Sequence, residues 1–221
     1  MYDGTQDRNE FRRRIDTIRR ILDVADPVSD DQETVGVARE TRGMVVVLLF
    51  ASYENILKSL CRGILETAIS LRVGNRRLRT GFRQFAVHNL LQSVSASKED
   101  AIWKEGGRKL LECAFEARSC TINSNVFPTD GTFMKRSQVI LLFDLFGLGD
   151  PAPILKEVWE SIDTIVTQRN AVAHGRMTPE EVGREYTSRT IRDLIDRWEA
   201  RWLAVVGYIE TMASGRDFFR A

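Results

Sequence analysis

The chain has 221 residues, 43% of them hydrophobic and 29% charged, with a formal net charge of +1. That length holds one good core, or one core with an appended subdomain, and the balance of residue types excludes long disorder. A net charge near zero also excludes a global field that draws the protein onto nucleic acid, so any such binding must use a local patch. The 32 basic residues divide into 26 Arg and 6 Lys, an excess that suits phosphate recognition but more often reflects GC-rich coding. Three cysteines (Cys61, Cys113, Cys120) with no CxxC spacing, and only two histidines, argue against a disulfide framework or a zinc site. No metal or other cofactor is expected. The most apolar run, Met44 to Ala51, is eight residues long, short of a membrane span, and the N-terminus lacks a signal-peptide core. The expectation is a soluble cytoplasmic protein with no membrane partner.

Nearly every ordered stretch reads at helical period. Phe11, Ile15, Ile18, Ile21 and Leu22 predict a first amphipathic helix ending near Asp26-Pro27. A long helical pattern follows from about Glu33 to Leu71, carrying Met44, Val47, Leu48, Ala51, Ile56, Leu60, Ile64 and Leu65. The β-branched cluster Val45-Val46-Val47 lies inside a stretch free of turn residues, so a buried helix is expected there rather than a strand. Arg72 to Gly81 breaks the pattern; shorter helices are predicted over Phe82–Val94 and Ala101–Arg118, and a loop over Ser119–Gly131 that includes Pro128 and Asp130-Gly131.

Phe133–Phe146 and Ile154–Ala173 are the next predicted helices. Thr178-Pro179-Glu180-Glu181 then supplies an N-cap, a first-position proline and a capping-box glutamate. A last helix over about Tyr186–Met212 carries a wide apolar stripe through Ile191, Ile195, Trp198, Trp202 and Ile209. With no repeat and no linker, the fold class is all-α, a helical bundle with an irregular middle segment.

The chemistry concentrates in Arg169-Asn170-Ala171-Val172-Ala173-His174-Gly175. An arginine holds a phosphate through forked donors, and an imidazole moves protons near neutral pH, which is what metal-independent phosphodiester cleavage requires. Spacing alone carries little: with this much arginine, such a pair arises by chance roughly a third of the time, and Arg83 precedes His88 at the same interval. Context separates the two pairs. Arg169 and His174 close a strong helix, Gly175 is a natural left-handed stop, and the helix dipole there favours a cationic group. Five residues turn about 500°, so the two side chains flank one surface, roughly 140° apart, rather than stack. Asn170 adds an amide that can bond a phosphate or orient the imidazole. The alternative is an arginine in a surface ion pair and a histidine that only caps a helix end.

These residues, on a helix in an all-α chain, resemble the signature of the HEPN superfamily. The resemblance extends to the long helix Gly43–Lys58 with its Tyr53-Glu54 pair, to Ser124-Asn125, and to the leucine-rich helix ending near Gly147-Leu148, as in RiboL-PSP-HEPN-type proteins. It implies one HEPN-like domain over residues 1–221, with an N-terminal helix at 8–25 and a core at about 33–212. It further implies a metal-independent endoribonuclease, active as a homodimer, often a toxin or anti-phage defence effector, in which Arg169 and His174 of both copies form the site with Asn170 in support. A cognate antitoxin or defence-system partner belongs to the same expectation. The other readings are a non-catalytic HEPN-type module that binds RNA or protein, and a helical adaptor that only dimerises.

Three further signals remain. Glu54, a carboxylate on a mostly apolar helix, either orients Arg169 or His174 or is a solvated edge position. Arg76, Arg77 and Arg79, with Arg72 and Arg83, form a basic strip beside Phe82 and Phe85 that would grip RNA and stack a base, or else is a solvated loop whose phenylalanines belong to the core. His88 reads as a half-buried histidine, and Trp159, Trp198, Trp202 and Tyr208 as core or dimer interface.

Overall fold

Helix α1 (Thr5–Ala25) buries Phe11, Ile15, Ile18 and Leu22 at the expected spacing, while Ile21 falls outside the stripe and stays exposed. The computed structural model describes residues 1–25, 32–96, 100, 102–129 and 134–221. The expected helix stop at Asp26-Pro27, the helix starts at Ala101 and Phe133, and the Asp130-Gly131 turn lie outside the described residues. Within the described residues the fold is all-α; the one β feature is an isolated antiparallel bridge between Leu78 and Arg220.

Helix α2 (Gln32–Ser70) is the axis of the molecule, 39 residues long and in contact with four other helices. Its Val45-Val46-Val47 cluster is helical, as the absence of turn residues demands. Its buried positions include Val45, Val46, Leu49, Phe50, Tyr53, Ile56, Leu57, Leu60, Ile64 and Leu65, so the apolar stripe is wider than a one-sided amphipathic helix carries. Met44, expected inside, is exposed, while Gly43, Val45 and Val46 beside it are buried. The eight-residue run understates this helix: Val35–Ser70 is long and apolar enough to cross a bilayer by composition alone, and 56% of its most apolar window is buried within the fold.

The middle of the chain is more broken than its periodicity predicts. Phe82–Val94 divides at Val87 into α3 (Thr80–Ala86) and α4 (His88–Ser95). The expected Ala101–Arg118 helix becomes a π-helical turn (Ile102–Gly106) followed by α5 (Gly107–Ala114). Neither α4 nor α5 has a buried residue, so no packing against the core holds them in one long helix. Helix α6 (Arg136–Phe146) ends on left-handed Gly147. The Ile154–Ala173 pattern also splits, into α7 (Ala152–Leu155) and α8 (Val158–Ala173), because Lys156 takes φ of 47°. Next come α9 (Pro179–Gly183) and α10 (Ser188–Met212).

Two glycines let α2 and α9 cross backbone to backbone. A Cβ on Gly43 of α2 would stand 1.8 Å from the Pro179 carbonyl oxygen, and one on Gly183 of α9 would stand 1.8 Å from the Arg39 carbonyl oxygen. The two backbones meet directly, and this clamps the chain that leaves α8. On the other side, Trp198 and Trp202 of α10 are fully buried against Tyr53, with ring centroids 6.0 and 5.0 Å away, and the Trp198 indole N–H donates to Ser52 Oγ at 3.3 Å. The tryptophans of the last helix are therefore core.

Candidate active site at the end of α8

Helix α8 buries Val158, Ile162, Ile165 and Val166 and brings Arg169 out at its last turn but one. The turn that ends it is a Schellman motif. Gly175 has φ of +66°, its N–H donates to the Val172 carbonyl at 3.1 Å, and the Arg176 N–H donates to the Ala171 carbonyl at 2.8 Å. The His174 N–H donates to the Asn170 carbonyl at 3.0 Å. The Asn170, Ala171 and Val172 carbonyls are thus satisfied by backbone N–H groups, and the exposed His174 side chain makes no capping bond among the described residues. The chain then enters α9 through the expected capping box, with Thr178 Oγ1 accepting from the Glu181 N–H and the Glu181 carboxylate accepting from the Thr178 N–H. Those bonds hold the Glu181 carboxyl below the usual carboxylate range.

Arg169 is half-buried. Its guanidinium lies over the ring of Phe50, 4.3 Å from the centroid, and donates to Asn170 Oδ1 at 2.9 Å. Phe50 in turn packs edge-on to Tyr53, 6.3 Å away, so the arginine rests on the same aromatic cluster that holds the tryptophans. A cation over a ring contributes about 0.5–2 kcal/mol depending on desolvation, and it orients the fork without consuming its remaining donors. Asn170 therefore serves Arg169 on this chain, and no hydrogen bond joins either residue's side chain to His174 among the described residues.

The carboxylates near this turn are all engaged elsewhere. Glu180 pairs with Arg184 at 2.7 Å and Arg39 at 3.9 Å, Glu181 closes the capping box, and Glu185 accepts from Gln168 Nε2 at 2.7 Å. Glu54 pairs with Lys58, one turn along α2, at 2.6 Å, so on this chain it orients neither Arg169 nor His174. Among the described residues no carboxylate lies within 4.0 Å of Arg169 or His174, and the surface ion pair considered for Arg169 does not form. No group of three or more His, Cys, Asp or Glu side chains gathers as a metal site among those residues. What remains is a guanidinium seated on Phe50 without a carboxylate partner and an exposed imidazole at the end of the same helix.

Two residues that frame the site carried no signal in the motif. Phe50 sits in an apolar run and was legible only as core. Gln168 is 6% exposed; its Nε2 bonds Glu185 and its Oε1 accepts from the Tyr186 hydroxyl at 2.7 Å, which ties the start of α10 to the last turns of α8. Burial raises the Tyr186 phenol above its ordinary range and keeps it a donor to that amide. An amide among Ile162, Ile165 and Val166, beside Arg169, was the available hint.

The other sequence candidates lie apart from this site. Arg76, Arg77 and Arg79 are exposed around a 3-10 turn (Asn75–Arg77), whereas Phe82 and Phe85 are 1% and 5% exposed. Those phenylalanines belong to the core, packed on Phe146, and cannot stack a base. His88 is half-buried at the wall of a cavity of about 600 Å³ that Asn125 also lines. Cys61 is buried, and desolvation pushes its thiol up to about 12.

The RiboL-PSP-HEPN family model matches residues 9–200, a span that contains most of α1, all of α2 and α8, and the Arg169–His174 turn. No curated protein and no solved structure matches the chain. Over most of its length, and with its all-α fold, the chain belongs to the RiboL-PSP-HEPN family.

Proposed function

We propose that this protein is a metal-independent endoribonuclease that cuts RNA through a site completed by two copies of the chain. Family membership supports an RNA-acting function in general. The observation that carries the finer reading is the state of Arg169: fixed over Phe50, bonded to Asn170, and left without a carboxylate beside an exposed His174. A guanidinium held in place with its charge uncompensated is suited to a phosphate, and an adjacent imidazole to proton transfer.

In the proposed reaction, His174 of one copy removes the proton from a ribose 2′-hydroxyl. That oxygen attacks its own 3′-phosphate, the bond from phosphorus to the 5′-oxygen breaks, and the leaving oxygen takes a proton from the partner's His174 or from water. Arg169 of each copy stabilises the added charge on the phosphoryl oxygens. The products are a 2′,3′-cyclic phosphate and a 5′-hydroxyl, and DNA, which lacks the attacking hydroxyl, is refractory. A second copy is proposed because its His174 would supply the acid while the first acts as base, and its Arg169 would add a second guanidinium at the phosphate. We place the enzyme in the cytoplasm as a toxin or anti-phage effector, with an antitoxin or defence-system protein as its regulator.

The test is incubation of purified protein with a structured RNA in excess EDTA, beside His174→Ala and Arg169→Ala variants. Cleavage that leaves cyclic phosphate ends, and disappears in both variants, is the expected result. Undiminished cutting by His174→Ala overturns the reading, and absence of cutting by the unmodified homodimer leaves a binding module. Sizing in solution tests the second copy, and a strict monomer that cleaves RNA excludes the composite site.

A further inference from the structure

The far end of α2 gathers arginines that no single stretch of sequence contains. Arg72, Arg76 and Arg77 follow the helix; Arg118 and Arg216 join them from two distant segments, and all five are exposed. Backbone bonds tie these segments together. The Arg76 N–H donates to the Glu116 carbonyl at 3.1 Å, the Arg79 N–H to the Phe219 carbonyl at 3.0 Å, and the Ala221 N–H to the Arg77 carbonyl at 3.0 Å. Arg83 locks the turn from within: its guanidinium donates to the carbonyls of Asn75, Arg76 and Leu78 at 3.3, 3.1 and 2.8 Å. Arg83 is structural, and its work is to present its neighbours.

Several arginines of the chain are paired across the fold. Arg8, Arg19, Arg136 and Arg201 each form ion pairs with carboxylates on other helices or segments. Among the described residues Arg72, Arg76, Arg77, Arg118 and Arg216 have none, and the Nε of Arg220, in the same cluster, is buried without a hydrogen-bond partner. Glu116, which accepts from the Arg118 backbone N–H, and Asp217 lie in the same segments, and neither forms an ion pair with these arginines among the described residues. Like charges outnumbering their counter-charges on a pinned backbone repel one another, and an anionic ligand relieves that repulsion.

We propose that this arginine pole is a second, sequence-independent RNA-binding surface, gripping phosphates at a distance from the cut. The proposal rests on the reading of the protein as RNA-acting. Phosphate recognition suits arginine forks on a rigid backbone. A bilayer surface is the poorer match, because it takes apolar side chains along with basic ones, and Val73, Leu78, Phe218 and Phe219, which alternate with these arginines, are buried. Ser70, at the end of α2, lies twenty residues beyond Phe50, which is about 30 Å along a helix axis. An RNA duplex is A-form, with a shorter rise per base pair than DNA, so it must extend roughly ten base pairs or more to touch both the Arg169 site and the pole. The substrate class is therefore structured RNA longer than that span, held by its backbone.

Fluorescence anisotropy of the full chain carrying His174→Ala, which keeps RNA uncut, tests this. The probes are one RNA hairpin shorter than the span and one well beyond it, across a salt series. Adding Arg76→Gln, Arg77→Gln and Arg118→Gln is expected to weaken the long hairpin by about tenfold or more, to lower the slope of log affinity against log salt by about three, and to erase the preference for the long hairpin. An independent pair, Arg72→Gln with Arg216→Gln, reproduces the effect from other segments, and thermal melts confirm that both variants fold. Equal affinity and slope for the long hairpin overturn the proposal, as does binding of anionic vesicles without binding of RNA. The two readings fail separately. If the unmodified chain cuts no RNA yet binds the long hairpin through the pole, the nuclease falls and the pole stands. If it cuts RNA and the pole variants bind as before, the reverse holds.

Discussion

Two regions along α2, one beside Phe50 and one past Ser70, are met by opposite kinds of arginine from other segments. Near Phe50 a single guanidinium is seated on an aromatic ring and braced by its own neighbour in sequence, Asn170. Past Ser70 several guanidinia are exposed on a backbone cross-tied among residues 72–83, 116–118 and 216–221. The first arrangement holds one cation in a single seat; the second spreads charge over a surface. A reaction needs the former because a misplaced group loses the transition state, whereas backbone binding needs only enough cations within reach of phosphates. Position in sequence follows the same division. A precise pair can lie on one helix turn, while a surface is assembled from whatever segments the fold brings together.

Several measurements break or sharpen this comparison. The largest effect is expected at the braced end, where His174→Ala and Arg169→Ala each lower RNA cleavage by about 10²–10⁴ with an unchanged melting profile. The pole variants, by contrast, act through affinity and salt dependence. A cleavage defect in the pole variants that persists at saturating RNA would merge the two ends into one site.

The glycine crossing comes next. Gly183→Ala drives a methyl group into the Arg39 carbonyl and is expected to cost about 1–3 kcal/mol in urea unfolding. Its local readout is loss of the α9 clamp behind His174, so cleavage falls more than the stability change explains. A neutral Gly183→Ala contradicts the backbone contact.

Phe50→Leu separates seating from packing. The change conserves most of the buried volume, so stability moves by less than about 1.5 kcal/mol. Arg169 loses the ring face, a loss of about 0.5–2 kcal/mol that appears as slower cleavage. In an Arg169→Ala background the same substitution should have no further effect on rate, and an additive loss rejects the positioning role.

The smallest effect is one of pH. The Glu181 carboxyl is held low by the Thr178 N–H and hydroxyl. A carboxylate with a lowered folded-state pKa stabilises the fold above its unfolded value, near 4.3, and loses that contribution as pH falls through the folded value. Amide exchange over 178–183 is therefore expected to quicken in acid before the core does, and Thr178→Ala, at about 1 kcal/mol, should remove that difference.

The helices that position the site were readable because their signals are local. Thr178-Pro179-Glu180-Glu181 made its capping box, Gly175 closed α8, and Val45-Val46-Val47 was helical because nothing nearby could turn the chain. The shortfalls came where tertiary contacts decide. Lys156 interrupts a continuous helical pattern, and α4 and α5 separate because they lack a face to bury. Glu54 had a single-helix partner, Lys58, within reach, and that short-range pair forms in place of a link to the distant site.

What the sequence determined alone is the set of properties carried within about one turn: where helices start and stop, that Arg169, Asn170 and His174 share the end of one of them, and that this end is built for a cation. Only the tertiary structure decided that Arg169 would rest on Phe50, that no carboxylate would neutralise it, and that Arg118 and Arg216 would join Arg76 and Arg77 at one pole. The physical reason is range. Capping bonds and helical period act over three or four residues, whereas the seat of a side chain and the sum of charges on a surface depend on which distant segments packing brings within a few ångströms.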